Sequence, residues 1–512
     1  MAFNGALTSL QDLSARAPGS TTTQALVLGT LVGLLAYILT KKRYRLPPGP
    51  FGLPLLGNLL QVVDKEEVFY VKLRRWARER YGPVITVYLG TMMCVVLNTL
   101  EVVTEAMISK GTDFAGRPYL HSLDLLTDGS KNLVMTPYSP EWKLQRKIAL
   151  QAIRHYLRGT GLEKVVHRSL QQTVDKMAAE PGPFDPHHYT SLLMFNIVDS
   201  ICFGEVKAKG CPEPAYVMQV LDDEGKEAGS GLLEDVIPLL RYCPTPKFRR
   251  LVKLQGILMD YIFQNIAEHR KSFSPDNIRD LTDSILLAQI ETARDDGEEV
   301  ITKFDDTYMK QTIGSIFTAG IDTSRMTLNW TLFFLAGHPE VQKRAQAEID
   351  AATGSRQPGL ADRARLQYTE AVLYESMRLG VPVPLSVPRK TLCDTTVGGY
   401  EVPKDTMVLV NLWAVMNDPD KWSEPEKFKP ERFLDEQGNL MPKPEGWIPF
   451  SVGRRACIGE TVVKPELTLI LSCLLKTFTL SLPPGAPCTP TTQLVSIALN
   501  PPKPFQIVVT PR

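Results

Sequence analysis

Apolar residues along this chain repeat with two periods, and the helical one dominates. In Glu66–Gly82, EEVFYVKLRRWARERYG, they recur three and four positions apart, which places them on one face of a helix that stops at a glycine. Patterns of this kind return through Gly380. The longest spans Asp305–Gly337, about 33 residues or roughly 50 Å, with Gly337 as its stop and Pro339 opening the next helix. Short runs rich in β-branched residues interrupt: GPVITVYLG from Gly82, CVVLNT from Cys94, TTVGGYEVPKDTMVLVNL from Thr395 and FQIVVT from Phe505. They predict strands, with Gly398 and Gly399 supplying a tight turn. The expected fold is mainly α with small β-sheets.

The first fifty residues differ in kind. Ala25–Thr40, ALVLGTLVGLLAYILT, carries no charge, and with Thr21–Gln24 it reaches about 20 residues, roughly 30 Å of helix and enough to cross a bilayer. A cleaved signal peptide would carry its positive charges ahead of the apolar run. Here Lys41, Lys42, Arg43 and Arg45 follow it, which by the positive-inside rule holds the rest of the chain in the cytosol. LPPGP, Leu46–Pro50, then makes a stiff spacer. The expected division is a short lumenal tail over 1–20, one N-terminal transmembrane helix over 21–40, a basic, Pro-rich linker over 41–58 and a single body over 59–512. With 44% hydrophobic and 22% charged residues and a formal net charge of +1, the 512 residues suit a large folded core and argue against a nucleic-acid binder.

Candidate chemistry concentrates in two stretches. Phe450–Glu460, FSVGRRACIGE, sets Cys457 among glycines and arginines just ahead of the last long helical pattern. Glycines leave room for something bulky, arginines favour an anionic group, and a helix N-terminus favours a thiolate. That combination points to a metal ligand. The other cysteines, Cys94, Cys202, Cys211, Cys243, Cys393, Cys473 and Cys488, read as small hydrophobes, since no C-x-x-C pair and no H-E-x-x-H occurs to hold zinc or an iron–sulfur cluster. In the longest helix, AGIDTS, Ala319–Ser324, puts a glycine, an acid and hydroxyls among apolar Ile316, Phe317 and Ile321. These residues weaken a helix interior, a local cost that points to function.

Phe450, Gly453, Arg455, Cys457 and Gly459 resemble the haem-binding loop F-x-x-G-x-R-x-C-x-G of the cytochrome P450 family. The resemblance covers the chain from Ala25 onward and implies the cytochrome P450 fold, a haem-binding catalytic domain over 59–512, and haem b whose iron takes the Cys457 thiolate as ligand. AGIDTS resembles the family's A-G-x-[DE]-T, which makes Asp322 and Thr323 the carboxylate and hydroxyl of a proton relay to dioxygen. Trp142 and Arg146 match W-x-x-x-R, and with Arg389 and Arg455 they take the positions that bind the haem propionates. E-x-x-R at Glu375–Arg378 and P-E-R-F at Pro430–Phe433 imply a buried ion triad of Glu375, Arg378 and Arg432. Pro465 departs from the pattern. An interior proline costs about 3 kcal/mol or kinks its helix, here near Thr461.

Within the family the chain is similar to animal microsomal members, among them steroid 17-hydroxylases and aromatic-hydrocarbon hydroxylases. They imply a monooxygenase of the endoplasmic reticulum membrane, single-pass with its catalytic domain cytosolic, that hydroxylates a lipophilic small molecule such as a steroid, another ring-shaped lipid or a xenobiotic. No flavin or dinucleotide fingerprint occurs, so electrons arrive from outside. By family analogy they come from an NADPH-dependent reductase, with cytochrome b5 as a further donor, and Lys143, Lys147 and Arg454 would form a basic docking face. Family position puts Arg117–Leu126, Val383–Val387 and Val495–Leu499 at the substrate. No asparagine lies between Leu221 and Pro238 to read a steroid oxygen. A haem-thiolate isomerase or dehydratase that needs no dioxygen, and a non-catalytic haem-binding sensor, stay open.

Overall fold

Local signals in the sequence become element ends in the structure. In the computed structural model, which describes residues 29, 44–62, 67–157, 161–208, 210–229, 231–488 and 498–512, the chain divides into two compact units, Met1–Leu46 and Pro47–Arg512. The predicted membrane helix over 21–40 lies, apart from Gly29, outside the described residues. Among those residues no helix is long and apolar enough to cross a membrane.

The second unit is built mainly from helices: α1 (Phe69–Trp76), α2 (Pro140–Leu157), α3 (Gly161–Ala178), α4 (His187–Phe203), α5 (Pro214–Gly229), α6 (Pro246–Ser272), α7 (Leu281–Asp296), α8 (Asp306–Gly337), α9 (Pro339–Thr353), α10 (Gln367–Gly380) and α11 (Glu460–Thr477). Helix α1 continues as a wider turn over Ala77–Tyr81 and ends at Gly82, whose φ of 87° favours glycine. Asp305 caps α8 by accepting the Tyr308 N–H at 2.9 Å. Pro339 starts α9 at a position where its missing N–H costs nothing.

The strands lie where the β-branched runs fall. β1 (Val84–Leu89) pairs antiparallel with β2 (Met92–Leu97), and the sheet continues in the order β1-β2-β6-β3 through β6 (Met407–Val410) and β3 (Arg389–Lys390). Two further pairs are β4 (Thr395–Val397) with β5 (Tyr400–Val402), turned by Gly398 and Gly399 at positive φ, and β7 (Phe478–Ser481) with β8 (Val508–Pro511). The Pro-rich stretch is laid along β1, where the carbonyls of Pro47 and Pro48 accept from Thr86 at 2.9 Å each. A Cβ on Gly49 would fall 1.8 Å from the Thr86 carbonyl oxygen, so only glycine fits there.

Helix α8 runs through the main core. Phe317 is fully buried, with the rings of Phe195 and Phe203 at 5.7 Å and Tyr261 at 6.1 Å. Its neighbours two turns along are buried as well, yet Ala319 is exposed and Asp322 and Thr323 keep part of their surface. A long helix enclosed on most sides but open at one turn marks a concave internal surface.

Candidate active site

The cysteine loop closes on itself just before α11. The Cys457 N–H donates to the Phe450 carbonyl at 3.0 Å, and the Gly459 N–H donates to Cys457 Sγ at 3.3 Å. The Phe450 ring meets Trp447 edge-on at 6.1 Å, anchoring the start of the loop in the core. Gly453 has φ 78°, and a Cβ there would meet the Met107 carbonyl oxygen at 2.0 Å. The bulky neighbour that demands this glycine is therefore backbone. At Gly459 a Cβ would stand 3.7 Å from Sγ, an ordinary contact, so what this residue gives the site is its N–H.

Cys457 keeps accessible surface, while the surrounding protein pushes its thiol up. Burial is the largest influence. The amides of Gly459 and Glu460 and the charge of Arg146 work the other way, stabilising a thiolate. Donors at the mouth of α11 are the helix-terminus effect anticipated from the sequence, with desolvation opposing it.

Four arginines gather beside this loop. Arg146 on α2 donates to the Ala456 carbonyl at 2.7 Å. Arg455 donates to the carbonyls of Ala115 at 3.0 Å and Thr136 at 2.8 Å, and Arg117 to those of Val134, Pro388 and Val387 at 2.7, 2.6 and 3.0 Å. Arg389 sits on β3. Burial depresses all four, and repulsion among them adds at three: Arg117 is lowered by Arg389 and Arg455 as well, Arg389 falls to about 10 with Arg146 adding to burial, and Arg455 to about 9 with Arg389 and Arg146 adding. None pairs with a carboxylate among the described residues. Arg389 Nε and one terminal nitrogen of Arg455 have no hydrogen-bond partner although buried. Buried cations without counterions call for an anion. The Trp142 ring lies under Arg455, 3.9 Å from centroid to guanidinium, and its indole N–H donates to the Leu133 carbonyl at 3.1 Å. Trp142 thus supports the cluster by stacking.

The exposed turn of α8 carries the second group. Thr323 Oγ1 donates to the Ala319 carbonyl at 2.8 Å. Asp322 points to another face, where Arg325 approaches it at 3.0 Å while also holding Ser191 at 3.0 Å and contacting Asp222. Burial pushes the Asp322 carboxyl up; Arg325 draws it down and Asp222 opposes that. Asp222 behaves differently: burial works against its charge, but His187 and Arg325 outweigh it and hold it at about 2. Asp322 and Thr318 line a small cavity of ≈180 Å³ with Leu221, Glu224 and Leu499.

Two further predicted groupings appear in space. Glu375 and Arg378 are fully buried and joined by two hydrogen bonds, 2.7 and 2.9 Å, and Arg432 Nε donates to Glu375 at 3.0 Å. Helix α11 runs unbroken across Pro465, and Thr461, whose carbonyl loses its partner to that proline, is exposed. On the outer side of α2, Lys143, Lys147, Arg154 and Arg454 line a concavity of ≈530 Å³ with Tyr138 and Trp142, and no carboxylate lines it.

Three residues escaped the sequence reading of roles. Arg117, placed there at the substrate, belongs to the arginine cluster, and only long-range folding brings it to Arg389 and Arg455. Arg325 follows Asp322 by three positions, a spacing that shares a helix face. Glu224 hides in the acidic run DDE at 222–224. Of Val495–Leu499, residues 495–497 lie outside the described residues, and Ala498 and Leu499 line the small cavity.

Comparison with known proteins accounts for this arrangement. The cytochrome P450 family model matches residues 47–509. Steroid 17-alpha-hydroxylase/17,20 lyase of Gallus gallus is 34% identical, over 85% of this chain and 86% of its own length. Cytochrome P450 2D3 of Rattus norvegicus is 36% identical over 90% and 92%, and cytochrome P450 1A5 of Gallus gallus 33% over 92% of each. A match that spans almost the whole second unit, on a helical fold with a thiol loop among unpaired arginines, has one reading: the chain belongs to the cytochrome P450 family and shares its enzyme class, the haem-thiolate monooxygenases.

Proposed function

We propose that the protein hydroxylates a lipophilic, ring-shaped small molecule, using dioxygen and electrons from an NADPH-dependent reductase, on the cytosolic side of the endoplasmic reticulum membrane. The observation that carries this is the set of four arginines without counterions beside Cys457, which fits a dianionic porphyrin with its iron at sulfur. Arg117, Arg146, Arg389 and Arg455 would hold the propionates, and Cys457 would be the axial ligand. Bound haem supplies the activation of dioxygen, favoured by electron donation from the thiolate.

The protein's own part is proton control. Thr323 Oγ1 spends its one proton on the Ala319 carbonyl and so offers lone pairs to a water or an incoming group. Asp322, pushed up by burial and tethered by Arg325, is a carboxyl that holds its proton more readily than a free aspartate, as a relay acid requires. In Thr323→Ala the helix keeps its propensity and the arginines are untouched, so ligand binding persists. Product per NADPH should fall by up to about 10² while hydrogen peroxide rises. Incorporation of one atom of labelled dioxygen into product tests the reaction class, and an unchanged product-to-peroxide ratio in the variant removes Thr323 from the relay.

The basic concavity on α2 fits the reductase. Lys143 and Lys147 are exposed there, and Arg454 lies 6.0 Å from the Tyr138 ring. Reversing both lysines to glutamate should lower reductase-driven turnover, with the deficit shrinking as salt screens the charges over about 8–10 Å. Equal rates for the two proteins at low salt would exclude docking at this face.

A further inference from the structure

Asn500 is buried, 2% exposed, and its backbone and side-chain amides are bonded to distant parts of the chain. Its N–H donates to the Pro382 carbonyl at 2.9 Å and its Nδ2 to the Gly380 carbonyl at 2.5 Å. Its Oδ1 accepts from the Tyr70 hydroxyl of α1 at 2.9 Å, and its carbonyl from the Trp330 indole of α8 at 2.8 Å. Between the two carbonyls that Asn500 holds lies Val381, at the end of α10, with φ 34°. A β-branched residue in the left-handed region is strained, and such a conformation persists only where its surroundings impose it. Here Asn500 grips the carbonyl on either side, and Gly380 lies so close to Trp330 that a Cβ would fall 2.7 Å from the ring. Both segments joined in this way lead to the site. Ala498 and Leu499, just before Asn500, line the ≈180 Å³ cavity beside Thr318 and Asp322 of α8. Val381 leads into Val383–Val387, which family position puts at the substrate. The Trp413 N–H, donating to the Pro384 carbonyl at 3.2 Å, ties that segment further along, and Pro501 and Pro502 stiffen the chain beyond Asn500.

We propose that Asn500 is a positioning residue for the substrate: its side-chain amide locks the turn at Val381 and so sets the distance between Ala498–Leu499 and Val383–Val387, two walls that decide which ring compound fits beside α8. This rests on the monooxygenase reading above and goes beyond it by naming what fixes the shape of the substrate site. The position needs a donor for Gly380 and an acceptor for Tyr70 on one short side chain. An amide has both, an ionised aspartate lacks the donor and leucine lacks both. Without the amide the strain at Val381 relaxes and the walls sample several separations. A ligand that requires one of them then binds only to the fraction of molecules that has it.

The test uses the full-length holoprotein, Asn500→Leu and Tyr70→Phe, the second removing only the hydroxyl that donates to Asn500. Two probes that bind through a ring nitrogen are titrated by their Soret shift: imidazole, too small to meet the walls, and 4-phenylimidazole, whose phenyl ring reaches them. In Asn500→Leu the dissociation constant of 4-phenylimidazole should rise at least about tenfold, as when the competent arrangement falls to about a tenth of the population, with imidazole unchanged within about twofold. Tyr70→Phe should shift it the same way by about threefold, and it carries the test if Asn500→Leu does not fold. Amide hydrogen exchange, read without any ligand, should quicken at least about tenfold at Val381, Val383 and residue 500 in Asn500→Leu and stay unchanged in α11. Equal weakening of both probes, or exchange that quickens throughout the fold, gives Asn500 a purely structural role and overturns the proposal, as does unchanged exchange at those three positions. NADPH-driven oxidation of phenanthrene by the wild type is measured separately. Product without the probe and exchange differences removes Asn500 and leaves the monooxygenase standing; those differences without product support Asn500 and count against the reaction.

Discussion

Cys457→Ser is expected to abolish NADPH-driven product formation and to remove the red-shifted Soret band of the reduced, carbon monoxide-treated protein, while the chain still folds. The substitution changes one atom. Serine keeps the backbone N–H that donates to Phe450 and fits where the thiol fits, so the loop and its hydrogen bonds survive. What goes is a polarisable thiolate that two amides and Arg146 help to stabilise. A serine hydroxyl ionises far less readily and does not donate electron density to iron as sulfur does. Because the arginine cluster is independent of the sulfur, haem content should fall less than activity. An unaltered Soret band in the variant would mean that another of the eight cysteines is the ligand.

The parts of this site that could be read from the sequence are those fixed by local chemistry. Asp305 at the start of α8, Pro339 at the start of α9 and the Gly398–Gly399 turn follow from what each residue does to its own backbone. The ion triad was legible only because two weak signals, Glu375–Arg378 and Pro430–Phe433, became specific together. Gly453 shows the limit. Its presence says that something approaches closely, but not that the neighbour is the Met107 carbonyl, from a distant part of the chain. Asp222 shows it more sharply: in three consecutive acids only tertiary packing decides which one meets Arg325 of α8, while Asp223 pairs with Arg250. Pro465 sits inside an otherwise unbroken helix whose C-terminal half packs into the core, so burial of Leu467, Leu469, Ile470 and Leu471 offsets the local cost.

The largest loss of stability should come from the triad, at Arg378→Met. Arg378 is fully buried. It donates to Glu375 through Nε and one terminal nitrogen, and to the carbonyls of Met416 at 2.9 Å and Pro425 at 2.8 Å. Methionine keeps the apolar stem but leaves the Glu375 carboxylate with Arg432 and the Lys429 N–H, and strands two carbonyls in the interior. Breaking a buried pair from one side costs about 3–5 kcal/mol; Arg432 still meets part of the Glu375 charge, and the stranded carbonyls add to the loss. Glu375→Gln should cost less: its amide oxygen can still accept from Arg432 or Lys429, and Arg378 retains its carbonyl partners. The denaturant midpoints of the holoprotein should therefore rank wild type, Glu375→Gln, Arg378→Met, with unchanged slopes. Haem should be released in the same order, since the segment these carbonyls anchor leads through Pro430–Phe433 to the loop that carries Cys457. If Arg378→Met proved as stable as Glu375→Gln, the guanidinium's grip on the backbone would contribute little, and the triad would act through the ion pair alone.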